Sequence, residues 1–172
     1  MKNFFNQSEK GFTLIETFVA VLILVFAVIG PLGLLSRAIA DGNYAKNQVT
    51  AYYLAQEAVE LFINQRDRNL EESPSDWSGA FDNCSQNNPC RVYFEDGLRI
   101  EPCIGDGCKL YIIDDRYTHE WSDAPSLFSR YIYLSEADDR KANLSVVVEW
   151  MNKTQPVNFT LNTQVFNINY GI

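Results

Sequence analysis

From Thr17 to Leu35 the chain carries no charged residue. At about 1.5 Å per helical residue, about 20 residues cross a hydrocarbon core of about 30 Å. One carboxylate, Glu16, stands at the near edge of this run. Beyond Ser36-Arg37 the pattern turns amphipathic. Ala45, Val49 and Tyr52, then Leu54, Ala58, Leu61 and Phe62, recur at helical spacing, with Gln48, Gln56, Glu57, Glu60 and Gln65 between them. No proline interrupts Ala38 to Glu72, and Gly42 weakens a helix there by about 1 kcal/mol. The pattern predicts one helix from about Phe12 to about Asn69. Its first half is to be buried in lipid or among partner helices, and its second half is to lay one face on a folded head. Within the apolar half, Gly30-Pro31-Leu32-Gly33 combines a missing backbone donor with two flexible residues, so a kink or local unwinding is expected there.

Ser73-Pro74-Ser75-Asp76 punctuates the end of the helix. A polar stretch with Asn83, Gln86, Asn87, Asn88 and Pro89 follows and reads as a surface loop bracketed by Cys84 and Cys90. Val92-Tyr93-Phe94 reads as a short strand before an Asp96-Gly97 turn. Leu110 to Asp114 reads as a strand that Arg116 to Glu120 answers antiparallel, with a loop from Trp121 to Pro125. The C-terminal part alternates most clearly. Ser129 to Leu134 precedes an acidic turn, Glu136-Ala137-Asp138-Asp139. Asn143 to Trp150 places Leu144, Val146, Val148 and Trp150 on one face, and after a turn at Asn152 to Pro156 the last strand sets Val157, Phe159, Leu161, Thr163 and Val165 together. A period of two means a half-buried antiparallel sheet, and the amphipathic helix half supplies its cover. The expectation is an α+β fold: a long helix, then a meander of three or four strands.

Composition narrows the function classes. The 172 residues carry a net charge of −8 and no Lys/Arg cluster, which argues against a nucleic-acid surface. An aromatic share of 13% favours a folded head, and the chain past the apolar run suffices for one domain. Four cysteines, Cys84, Cys90, Cys103 and Cys108, lie past the apolar run. They allow three connectivities; the short intervening loops favour Cys84 with Cys90 and Cys103 with Cys108 on an oxidising side of a membrane. The rival is a four-cysteine zinc site, whose usual spacing the second pair alone fits. His119 has no neighbouring histidine and reads as structural, on the surface or partly buried. Glu71-Glu72, Asp114-Asp115 and Asp138-Asp139 are carboxylate pairs, but none sits in an EF-hand loop, and turn chemistry explains them more simply. No phosphate loop or Gly-x-Ser-x-Gly elbow is present. The sequence therefore predicts neither an enzyme nor a bound cofactor.

The leader, residues 1–11, holds Lys2 and Lys10 against Glu9 and should stay cytoplasmic. A secretory signal would place its cleavage site after the apolar segment, and a plain anchor would gain insertion energy from an apolar residue in place of Glu16. Gly11-Phe12-Thr13-Leu14-Ile15-Glu16 ahead of an apolar helix resembles the processing site of type IV prepilins at every position. That resemblance implies the pilin fold and a division into leader (1–11), filament-core helix half (12–35), amphipathic helix half (36–72) and β head (73–172). It implies that a prepilin peptidase cuts after Gly11 and methylates the new amine of Phe12. It implies that Glu16 meets such an amine on its own chain or a neighbouring one during assembly. It implies that Gly30, Pro31 and Gly33 mark a stretch that loosens in a filament. The implied partners are the peptidase/methyltransferase, other pilin subunits and an inner-membrane assembly platform. The protein would sit in the inner membrane as a single-pass chain with its head outside the cytoplasm, then in a filament. The first reading is a minor pilin. The alternatives are a pseudopilin of a type II secretion system, a subunit of a DNA-uptake pilus, or an anchored binding domain that never polymerises.

Overall fold

The computed structural model describes residues 11–72, 76–81, 83–85, 87–94, 97–135, 138 and 140–168. Residues 1–10 of the leader, Ser73-Pro74-Ser75, Gln86, Asp96, Glu136, Ala137 and Asp139 lie outside the described residues.

Thr13 opens the helix. Its side-chain oxygen accepts the Glu16 N–H at 3.3 Å, and its carbonyl accepts from Glu16 and Thr17 at 3.0 and 3.2 Å. Thr-x-x-Glu is the sequence of a capping box, and the Glu16 carboxylate lies in the first turn, where the helix dipole favours a negative charge. The helix α1 (Leu14–Glu72) then runs for 59 residues. It remains helical across Gly30 to Gly33, with Pro31 inside it. The local unwinding expected there is not seen in the single chain. Pro31 removes one donor, and the turns on either side keep theirs.

The chain forms two compact units, divided between Asn43 and Tyr44. In the first, residues 11–39 are exposed throughout. In the second, α1 buries Ala51, Leu54, Ala55, Ala58, Phe62 and Leu70. Of the stripe read in the sequence, Leu54, Ala58 and Phe62 are buried and Leu61 is partly buried, whereas Ala45 is exposed and Val49 and Tyr52 are 55% and 41% exposed. Ahead of Leu54, apolar residues flank both sides of this face, so period alone left the phase open there. The structure selects the side carrying alanines at 51, 55 and 58, whose small side chains allow close approach to a sheet. Tyr44 reaches the Trp150 ring, and Tyr52 meets Phe159 edge-on.

The sheet has seven antiparallel strands: β1 (Cys90–Phe94), β2 (Leu98–Pro102), β3 (Lys109–Ile113), β4 (Arg116–Thr118), β5 (Pro125–Ser135), β6 (Lys141–Asn152) and β7 (Gln155–Phe166). The expected meander of three or four strands is its β5–β6–β7 half. The rest is a second layer of pairing on the far edge of β5, where Cys90 of β1 lies opposite Ile132 and Lys109 of β3 lies opposite Ser129. β4 ends at Thr118 rather than Glu120, and β5 begins at Pro125, opposite Tyr111 and four residues ahead of the Ser129 start read in the sequence. β3 and β4 form the expected hairpin. Asp114 and Asp115 make its turn with φ of 49° and 60°, the left-handed pair that a two-residue hairpin loop demands.

Alternation builds the core. β6 buries Ala142, Leu144, Val146, Val148 and Trp150, and β5 buries Phe128, Ile132 and Leu134 in the same phase. A long helix packed on an antiparallel sheet is the α+β class expected from the pattern.

Candidate functional site

The residues singled out by sequence fall in two places. Gly11, Phe12 and Glu16 stand at the head of α1, all exposed, with Phe12 79% exposed. Behind them Leu14, Ile15, Phe18, Val21, Leu24, Phe26, Ile29, Leu32 and Leu35 are uncovered. A helix that is apolar all round cannot rest in water and needs lipid or other helices. It is long and apolar enough to cross a membrane. At Gly30 and Gly33 a Cβ would meet nothing within 4 Å, so neither glycine is needed for packing in the single chain.

The cysteines form the disulfides Cys84–Cys90 and Cys103–Cys108. All four sulfurs are thereby taken, which removes the zinc alternative. The first bridge ties the loop to the centre of the sheet. Cys90 pairs with Ile132 of β5, and the Cys84 carbonyl accepts the Leu134 N–H at 2.6 Å. Across the second bridge the chain turns back, and the Cys103 N–H reaches Pro89 O at 2.7 Å.

The polar heart of the head was not foreseen. Arg130, in the buried phase of β5 between Phe128 and Ile132, is 1% exposed. Its Nη1 donates to the Leu54 carbonyl of α1 at 3.0 Å and to the Glu57 carboxylate at 2.7 Å, and its Nη2 donates to Val92 O at 3.2 Å. The guanidinium thus clasps helix, β5 and β1 together. Burial lowers the Arg130 pKa, and Glu57 works against that shift. The sequence did hold the signal: in Phe128-x-Arg130-x-Ile132-x-Leu134 the arginine falls on the apolar phase.

His119 lies against the same cluster and is more deeply placed than expected, at 2% exposed. Its Nδ1 is 2.8 Å from Val92 O and its Nε2 is 3.2 Å from Arg130 O. Burial, and then the nearby Arg130 charge, push its pKa from 6.5 to about 3. The ring is therefore neutral and donates one hydrogen bond, which the shorter contact assigns to Nδ1.

A cleft of about 620 Å³ opens beside Arg130, lined by Tyr53, Glu57 and Leu61 of α1, Tyr93 of β1, and Arg116 and Tyr117 of β4. Its walls present tyrosine hydroxyls and charges of both signs. The carboxylates named in the sequence lie elsewhere: Asp114-Asp115 makes the β3–β4 turn, Glu71-Glu72 closes α1, and Asp138 Oδ1 accepts the N–H groups of Arg140 and Lys141 at 2.7 and 2.8 Å. Among the described residues no three His, Cys, Asp or Glu side chains gather as a metal set.

No family model, curated protein or solved structure matches the chain.

Proposed function

We propose that this protein is a structural subunit of a type IV pilus-type filament, a minor pilin, cut after Gly11 and built in through the exposed half of α1. One observation carries the reading. A helix without a single buried side chain from Leu14 to Ile39 follows directly on Gly11-Phe12-Thr13-Leu14-Ile15-Glu16. Lipid covers such a helix before assembly, and the stems of neighbouring subunits cover it afterwards.

In this reading a prepilin peptidase releases residues 1–11 and methylates the amine of Phe12. Glu16 then meets the cationic amine of an adjoining subunit. In low dielectric the pairing offsets part of the desolvation of both charges and holds one axial offset between subunits. The head carries no reaction. It is exported on the far side of the inner membrane, where its two disulfides form, and an assembly platform draws it into the filament. A pseudopilin of a secretion system or a subunit of a DNA-uptake pilus would use the same stem. An anchored binding domain would keep its leader, and the tyrosine-lined cleft beside Arg130 is the feature that favours this second reading.

The test is fractionation in the native host. Filaments sheared from the cell surface should contain the protein, and a strain lacking the assembly ATPase should hold it in the membrane. Absence from sheared material in both strains contradicts the filament reading.

A further inference from the structure

The two ends of the head differ. α1 enters it at Tyr44, whose ring lies 6.3 Å from that of Trp150, and the Trp150 ring lies 6.1 Å from that of Phe128. Register collects the other neighbours of this end. β5 begins just before Phe128, at Pro125, and the β6–β7 turn from Asn152 to Gln155 comes just after Trp150. Pro125 lies opposite Tyr111, so the β3–β4 turn at Asp114-Asp115 falls here too. The Ile112 N–H donates to Ala124 O at 2.9 Å and Ser122 Oγ donates to Ile112 O at 3.2 Å, which brings in the loop that carries Trp121. At the opposite end Arg66 donates to Phe166 O and the Trp77 indole N–H donates to Asp138 O.

The entry end carries uncovered apolar side chains. Phe128 and Trp150 lie opposite each other and face the core. One step on in the same register, Leu127 and Met151 stand side by side on the face that α1 leaves bare, with Pro156 opposite Met151. Leu127 and Met151 are 63% and 51% exposed, and Trp121 in the neighbouring loop is 70% exposed. Farther along the bare face β7 shows Asn158, Thr160, Asn162 and Gln164, and it ends at Phe166. The charges of the entry end are Asp114, Asp115 and Asp123 against Lys46 and Lys153, all exposed, so the acids are in excess.

Chain length decides what can cover this end. Leu35 closes the uncharged run, and Tyr44 follows nine residues later in the same helix. Nine helical residues rise about 13.5 Å, and the headgroup layer beside a hydrocarbon core is about 5–8 Å deep. With α1 across a bilayer, the entry end is held within about 10 Å of the headgroups, whatever angle the head takes up. We propose that this end of the head rests on the bilayer surface, with Trp121, Leu127 and Met151 in the headgroup layer. An indole suits that layer because its ring is apolar and its N–H stays within reach of water. The excess of acids gives anionic lipid no hold, so the attachment is by apolar insertion. The proposal rests on α1 crossing a bilayer, and on neither a cut after Gly11 nor entry into a filament.

All four native cysteines are held in disulfides, so a single added thiol can carry a fluorescent label. The full chain is reconstituted in phosphatidylcholine vesicles with the label at Leu127→Cys, Met151→Cys, Asn162→Cys or, in the stem, Val25→Cys. Asn162 is exposed on the same bare face, about 23 Å farther along β7 than Gln155. Lipid spin-labelled at the headgroup should quench the labels at 127 and 151 several-fold more than the one at 162, and lipid spin-labelled deep in the acyl chain should quench the one at 25. Leu127→Asp added to Met151→Cys should cut the quenching at 151 several-fold with the circular dichroism unchanged, whereas nearness imposed by the tether alone would survive it. Added phosphatidylglycerol should leave the contact as it is. With Val25 quenched, the proposal alone is overturned by equal quenching at 127, 151 and 162, by no effect of Leu127→Asp, or by a contact that requires phosphatidylglycerol. No quenching at Val25 overturns the membrane-crossing α1, and the proposal with it.

Discussion

Glu16 has two physical roles that a single substitution would confuse. Its carboxylate sits in the first turn of α1, where the helix dipole favours a negative charge, and in the proposed assembly it supplies that charge to a neighbour's amine. Glutamine removes the charge and keeps the size and polarity of the side chain, whereas alanine removes all three; both keep the backbone N–H that Thr13 accepts. Glu16→Gln and Glu16→Ala should both insert in the membrane, and both should be depleted from sheared filaments by tenfold or more. Incorporation of Glu16→Gln at the normal level would show that the charge is not used. Arg130 and Glu57 make a second residue-level pair, with unequal exposure of 1% and 48%. Losing Glu57 strands a buried cation, while losing Arg130 leaves a carboxylate that water can reach. Glu57→Ala should therefore cost about 3 kcal/mol in urea unfolding, and Arg130→Met, which fills the space without charge, should cost less. The reverse order would overturn this account of the clasp. His119 makes the head acid-sensitive. Its folded pKa, about 3, lies below the 6.5 of a free ring, so between these values the unfolded chain takes up a proton that the folded ring refuses. Its contribution is intact above about pH 6.5 and lost as pH falls toward 3, by up to about 1.4 kcal/mol per pH unit. Urea midpoints at pH 7 and pH 4.5 check this, and His119→Phe should flatten the difference.

At the scale of elements, legibility followed period and length. β6 could be read because five core residues fall strictly two apart over its length, from Ala142 to Trp150. The existence of α1 was plain, and so was its buried face from Leu54 to Phe62, but not ahead of Leu54. Ala45 and Val49 are as apolar as Ala51 and Ala55, and only packing on the sheet breaks the tie. β2 was missed because Leu98-Arg-Ile-Glu-Pro102 is short and charged and holds its place through the β1 hairpin rather than a pattern of its own. Arg130 was missed because charge in a strand reads as a solvent face, and here it is the tether between layers. The start of α1, expected near Phe12 and found at Leu14, was legible because its signal is local sequence and needs no tertiary partner. The turn after α1 carries its own prediction. Gly79 has φ of +46°, and a Cβ there would lie 2.4 Å from Asn69 Nδ2, whose amide donates to Trp77 O. Gly79→Ala should destabilise the head by about 1–2 kcal/mol in urea unfolding. An unchanged midpoint would show that Asn69 yields freely.

At the scale of the molecule, the two units that share α1 differ in what they bury. The head owes its stability to a sheet core, two disulfides and the Arg130 clasp. The stem, from Phe12 to Ile39, has no core at all and takes its stability from whatever surrounds it. That difference is the physical basis of the proposed function, because a stem with nothing of its own to bury is suited to exchanging lipid for other stems. In the proposed assembly the stem is first released from its charged leader. The most direct measurement is the mass of the N-terminal peptide of the protein isolated from its native host. The account predicts a chain that begins at Phe12 with a methylated amine. A chain that still begins at Met1, with Gly11 and Phe12 joined, would contradict it.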